Sequence, residues 1–158
     1  MDTPARIDAL VGRLAERGTE FRPIRNAPWI EEVESRLGFK LPAIYRSLVT
    51  RYAFPTLTLE KVELFSNLGD GSEEDLATAP FRDADLSSWL ISHRLAQVGR
   101  PSTGSYDPVC FDIGSSPAGR DAAVVQLDHE DILLSRKKVS RVVVAASFLA
   151  LVQKVIDA

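Results

Sequence analysis

The spacing of apolar residues changes period twice along the chain, and that limits the folds open to it. Ile7, Leu10, Val11 and Leu14 fall at i, i+3, i+4 and i+7, the stripe of an amphipathic helix that must find a core. Thr3 is placed to cap this helix, Pro4 sits in its first turn where a missing N–H costs nothing, and Gly18 fits as its stop. Ile30, Val33, Glu34 and Leu37 occupy successive turns of a second helix, and Gly38 stands where a left-handed residue ends it. Pro42 opens a third helix carrying Ile44, Tyr45, Leu48, Val49 and Tyr52, and it pushes Leu41 into an extended conformation. Local stereochemistry therefore determines the corner Gly-Phe-Lys-Leu-Pro.

From Phe54 the pattern alternates. Leu57 and Leu59 are interleaved with Thr56, Thr58 and Glu60, then Val62 and Leu64 follow, which predicts a strand or hairpin. The stretch from Ser66 to Asp85 has no period and reads as a loop with one helical turn, after which Asp85 is placed to cap a short helix through Trp89 and Ile91. A strand is predicted over Ala96 to Val98, ending at Gly99. A second begins at Val109, with Val109, Phe111 and Ile113 on one face and Cys110 on the other, and the loop 114–121 leads to a third over Ala123–Leu127. Ser140 is placed to cap a last helix through Val155, although the β-branched Val142, Val143 and Val144 leave its first turn open. The order helices, antiparallel sheet, helix predicts one α+β domain over residues 1–158. A central antiparallel sheet is flanked by N-terminal helices, the first within residues 1–18, and by a C-terminal helix.

A chain of 158 residues can bury a continuous core without disulfides or metals. One cysteine excludes an internal disulfide framework, and His93 and His129 stand far apart with no Cys/His spacing of a zinc site. No metal or cofactor is expected. No stretch reaches the roughly 18 apolar residues of a spanning helix, and the opening residues carry Asp2, Asp8 and Glu16 where a signal peptide would be apolar. A cytoplasmic location is the expectation. The formal net charge of −3 argues against a dedicated nucleic-acid binder. Charge is unevenly placed, however. Asp70, Glu73, Glu74, Asp75, Asp83 and Asp85 face a single base, Arg82, in one short stretch. Such a segment is able to attract a basic partner over a Debye length of roughly 10 Å.

Nothing in the sequence identifies a reaction. The loop GRPSTGSYD lacks the GK[ST] ending of a phosphate loop and runs into a strand, not a helix. Cys110, with His93 or His129 as base, is one conceivable nucleophile, but a lone cysteine in a strand is usually a small buried hydrophobe. Asp112, Asp128, Glu130 and Asp131 match no calcium-loop spacing and read as turn residues, with His129 exposed among them. His93 reads as a packing residue beside Trp89. The one basic cluster, Ser135–Arg141, is too small for strong nucleic-acid affinity.

The order of motifs is more informative than any of them singly. Glu34, Leu37-Gly38, Leu41-Pro42 and Tyr45-Arg46 resemble the opening signature of the SUKH superfamily, the Smi/Knr cell-wall-regulator-like domains. Tyr106-Asp107, Val109-Cys110-Phe111-Asp112, Leu127-Asp128-His129-Glu130 and Phe148-Leu149 resemble its later half, so the similarity covers residues 29–155. Two loops depart from the family pattern. Tyr52-Ala-Phe-Pro stands where an Asn-Gly-Gly turn is common, and Tyr106 replaces the glycine before the loop aspartate. The resemblance implies a SUKH-like α+β fold and a non-enzymatic role. Bacterial members are typically immunity proteins that neutralise a toxin, often a nuclease, encoded beside them; fungal relatives act as interaction hubs. It also implies that Glu34 and the Leu-Pro corner are mainly structural. Asp70, Glu73, Glu74, Asp75, Tyr106, Asp107 and Asp128 are then the candidate binding residues, with a basic toxin domain as protein partner and the chain itself a monomer or weak dimer. The alternatives are a small-molecule or peptide-binding regulatory domain using the face near Asp107, Asp112 and Asp128, and a hydrolase using Cys110 or His129.

Overall fold

The computed structural model describes residues 2–116 and 121–158; positions 117–120, within the loop expected between the second and third strands, lie outside the described residues. Helix α1 (Thr3–Glu16) buries the predicted stripe of Ile7, Leu10, Val11 and Leu14. Its cap is Asp2, not Thr3: the Asp2 carboxylate accepts the Ala5 N–H at 2.8 Å. Gly18 ends the helix with φ 96°. Helices α2 (Pro28–Leu37) and α3 (Ala43–Arg51) meet at the expected corner, where Gly38 adopts φ 81° and donates its N–H to the Glu34 carbonyl. The buried Glu34 carboxylate staples this corner, accepting the Leu41 N–H at 2.8 Å and Arg46 Nε at 3.0 Å. The structural role implied for Glu34 thus has a concrete form. Two short strands, β1 (Arg22–Pro23) and β2 (Tyr52–Ala53), pair as a ribbon beside α3.

The main sheet has six antiparallel strands in sequence order: β3 (Leu57–Leu59), β4 (Val62–Leu64), β5 (Leu95–Pro101), β6 (Val109–Asp112), β7 (Val124–Leu127) and β8 (Arg141–Ala145). Between β4 and β5 lie a 3-10 turn (Ala79–Phe81) and helix α4 (Ala84–Ser92); α5 (His129–Leu133) follows β7, and α6 (Phe148–Asp157) closes the chain. The fold is α+β, as the sequence predicts. On one face the sheet packs against α1, α2, α3 and α6 through Phe111, Val98, Tyr45 and Phe148. On the other, Cys110, Leu95, Val125 and Leu127 pack under α4 and α5 through Leu90 and Ile132. Both faces therefore carry helices, and Cys110 and Phe111 point to opposite sides as alternation requires.

Three further expectations need correction. Residues 141–145 form β8, not the start of the last helix: the Val142-Val143-Val144 triplet takes the conformation its β-branching favours, and Ser147, not Ser140, caps α6. Asp83, not Asp85, caps α4 by accepting the Leu86 N–H at 3.0 Å. Gly99 does not end its strand. β5 runs on to Pro101, and Gly99 sits at a bulge where a Cβ would lie 2.3 Å from the Glu63 carbonyl oxygen of β4. No helix among the described residues is long and apolar enough to cross a membrane.

Gly99→Ala must push β5 from β4, so a loss of about 3 kcal/mol is expected in urea unfolding; an unchanged midpoint would show that the strands are not in this contact.

Candidate functional site

The bulge at Gly99 has a consequence for the second face of the sheet. It shifts the alternation of β5 by one residue, so that Gln97 and Arg100 both border a pocket of about 570 Å³. Helix α4, capped by Asp83, forms one wall with Leu86 and Ser87, and the 3-10 turn adds Ala79 and Pro80. Helix α5, capped by Asp128 through the Asp131 N–H at 2.9 Å, brings His129 and Leu133 to the opposite side. The loop from β5 to β6 turns at Gly104, φ 87°, and carries Tyr106 over the mouth.

Asp107 locks this loop to α5. Its Oδ1 accepts the His129 backbone N–H at 3.0 Å and lies 2.7 Å from His129 Nδ1, while Oδ2 accepts Gln126 Nε2 at 3.3 Å. Partial burial by itself pushes the Asp107 carboxyl up, but the bonds from the His129 ring and backbone and from Gln126 outweigh it and hold the group below the usual carboxylate range. With that carboxylate ionised, His129 Nδ1 is the nitrogen that donates to it. Tyr106 is 68% exposed, its ring centroid 6.2 Å from that of His129. The Arg100 guanidinium lies between the rings of Tyr106, 5.4 Å away, and Phe65, 5.7 Å away.

The structure brings together Tyr106, Asp107 and Asp128 of the expected binding residues and separates the acidic ones. Asp75 is fully buried, which corrects the expectation that it contacts a partner. Its Oδ1 accepts Ser66 Oγ and the Leu68 N–H, and its Oδ2 accepts the N–H groups of Gly69 and Ala77. It is the internal post of the acidic loop. Asp70 is exposed and accepts the Ser72 N–H, Glu74 is exposed, and Glu73 reaches Arg82 at 3.4 Å on the rim of the pocket.

The other candidates are committed elsewhere. Asp112 pairs with Arg141 at 3.0 Å and Asp131 with Arg136 at 2.6 Å, so the basic cluster anchors the return into β8. Asp112 therefore takes no part in a face shared with Asp107 and Asp128. Cys110 is fully buried, and burial pushes its thiol up, which disfavours the thiolate form. His93 stacks on Trp89 at 3.9 Å. His129 is half-buried against Asp107, not exposed in a turn as expected. Asp107, Asp128 and His129 could each turn one ligand atom to a metal, within 4.8 Å of one another, but a metal would have to compete with the hydrogen bonds those atoms already make.

Sequence reasoning missed Arg100, Gln97 and Ser87. Alternation gives no signal for the first two together: Gln97 and Arg100 are three apart and fall on opposite faces of a regular strand, and the bulge at Gly99 is what brings both to the Cys110 face. Protein-family models and curated proteins compared with the chain give no match.

Asp107 has a folded pKa below its unfolded one, so its contribution to stability is complete above about pH 4 to 5 and disappears as pH falls through the lower folded value. Urea titrations of the wild type and Asp107→Asn should show a wild-type advantage at neutral pH that shrinks in acid; an advantage independent of pH would contradict the ionised Asp107–His129 arrangement.

Proposed function

We propose that the chain is a non-catalytic protein-binding domain, an immunity protein that neutralises a cognate basic toxin domain, often a nuclease, by covering it. The observation that carries this reading is Tyr106, a largely exposed aromatic side chain on a loop that the neighbouring Asp107 ties to α5. Tyrosine on a pre-ordered loop beside arginine is the composition of an energetic centre in a protein interface, because a large ring is covered at little cost in conformational freedom. Around it stand exposed carboxylates, Glu73 and Asp83 at the pocket rim and Asp70, Glu74 and Asp85 near them in sequence. Such a field speeds encounter with a basic surface. The motif order of residues 29–155 supports the same class, and Tyr106 occupies one of the positions where the chain departs from the family pattern, as a residue choosing its own partner would.

The test is binding to the protein encoded beside this one. Affinity at least micromolar is expected, with Tyr106→Ala costing about 2 kcal/mol, roughly a thirtyfold weakening. A neighbouring product that is not toxic, or binds no better than millimolar, would dispose of the immunity reading.

One observation favours a second reading, a small-molecule or peptide-binding regulatory domain of the Smi/Knr type: the pocket volume of about 570 Å³ lies inside the range of ligand sites. Mass spectrometry of what freshly purified protein releases on denaturation tests it. A stoichiometric small molecule is its expected result, and its absence from protein purified out of the native host counts against it.

A further inference from the structure

Among the described residues, three buried side-chain polar atoms lack a hydrogen-bond partner: Arg13 Nε, Tyr45 Oη and Arg100 Nε. Two have a simple context. Arg13 uses the rest of its guanidinium on Glu16 and on the Ala158 carbonyl, and Tyr45 is sealed in the core between Phe111 and Phe148. Arg100 differs from both. Among the described residues its guanidinium makes no ion pair and no hydrogen bond, and it is held only by the faces of Phe65 and Tyr106. Glu63, directly across on β4, forms no ion pair with it.

Arg100 also borders the pocket, and the pocket's other basic groups already have acidic partners. Arg82 reaches Glu73, the Asp83 carboxylate accepts the Leu86 N–H, and His129 Nδ1 faces Asp107. Among the described residues of the lining, Arg100 is the arginine without a carboxylate partner; it is partly desolvated, and its fork of donors matches a planar two-oxygen anion. Tyr106 and Leu133, both exposed apolar surfaces at the mouth, suit an apolar stem or backbone carrying that anion.

We propose that this pocket receives a carboxylate of the partner protein, held by the Arg100 guanidinium and covered by Tyr106. The inference rests on the protein-binding reading above and deepens it: the exposed acidic rim steers a basic partner from a distance, while one carboxylate of that partner makes the inner anchor. The rim and the anchor then select for opposite charges at different ranges, which rejects a surface that is merely basic.

Two experiments test this. In the first, the Arg100 Nε–Hε resonance of the intact protein is followed during titration with N-acetylglutamate α-amide, N-acetylglutamine and inorganic phosphate, with chloride holding ionic strength constant. Saturable millimolar shifts of Arg100 and of the Tyr106 and His129 amides are expected with one or both carboxylates. A response to the side-chain carboxylate of the first assigns an internal Asp or Glu, and a response to the second assigns a chain terminus. No saturable shift with either carboxylate, or tighter binding of phosphate, overturns the proposal.

In the second, the partner complex is measured with Arg100→Gln and Arg100→Lys. The expected result is a loss of thirtyfold or more for Gln and a smaller loss for Lys, mainly in dissociation rate, with unchanged unfolding midpoints. Because Arg100 supports two rings, the titration of the unmodified protein stands even if a variant folds poorly. If the partner binds and Arg100→Gln leaves affinity intact, the carboxylate anchor fails and the protein-binding reading survives. If the carboxylates bind Arg100 but no protein partner does, the anchor survives and the immunity reading fails.

Discussion

The sheet has to bury both of its faces, and most of the architecture follows from that requirement. Phe111 and Cys110 are neighbours on β6, each fully shielded from solvent, one under the layer of α1, α2, α3 and α6 and the other under α4 and α5. The first layer is broad enough to tile its face. The second consists of a nine-residue and a five-residue helix, which cannot cover the whole of β5. Where they stop short, the sheet presents Gln97 and Arg100, and the gap becomes the pocket. The candidate site is thus the uncovered part of a core, furnished with the polar residues that an uncovered part tolerates.

Carboxylates hold the loops around this frame. Glu34 ties α2 to the start of α3, Asp75 gathers the chain from Ser66 to Ala77, and Asp121 accepts the N–H groups of Phe148 and Leu149 at the start of α6. Each buried or half-buried charge is matched to backbone donors, the condition under which burial of an ion is tolerated. Counting charge along the sequence hides this division of labour. Asp75 sits inside the loop it organises, and Asp112 and Asp131 neutralise two arginines of the basic cluster. The field left at the surface comes from fewer acidic groups than the composition of that stretch implies.

Local signals were legible where the cause is local. Gly38 and Pro42 turn the chain by their own stereochemistry, and the stripe of α1 and the alternation of β3 and β6 follow from the two periodicities of side-chain placement. Caps were less legible, because Asp2 and Thr3, or Asp83 and Asp85, are near-equivalent acceptors and the choice depends on where packing starts the helix. The start of α6 was misplaced for a related reason. Val142 to Val144 fit a helix poorly and a strand well, but strand formation there needs β7 as its neighbour, and no window of sequence contains that neighbour.

The sequence by itself determined the α+β class, the helix–corner–helix opening and the two opposed faces of β6, because periodicity, glycine and proline act through contacts only a few residues long. The tertiary structure alone decided that Gly99 is a close approach and not a strand end, that Asp75 is inside, and that Asp107 grips His129 across 22 residues. It alone decided that Arg100, without an ion-pair partner among the described residues, stands at the edge of a pocket. Each depends on which groups distant in the chain come to lie within a few ångströms, and no local preference encodes that.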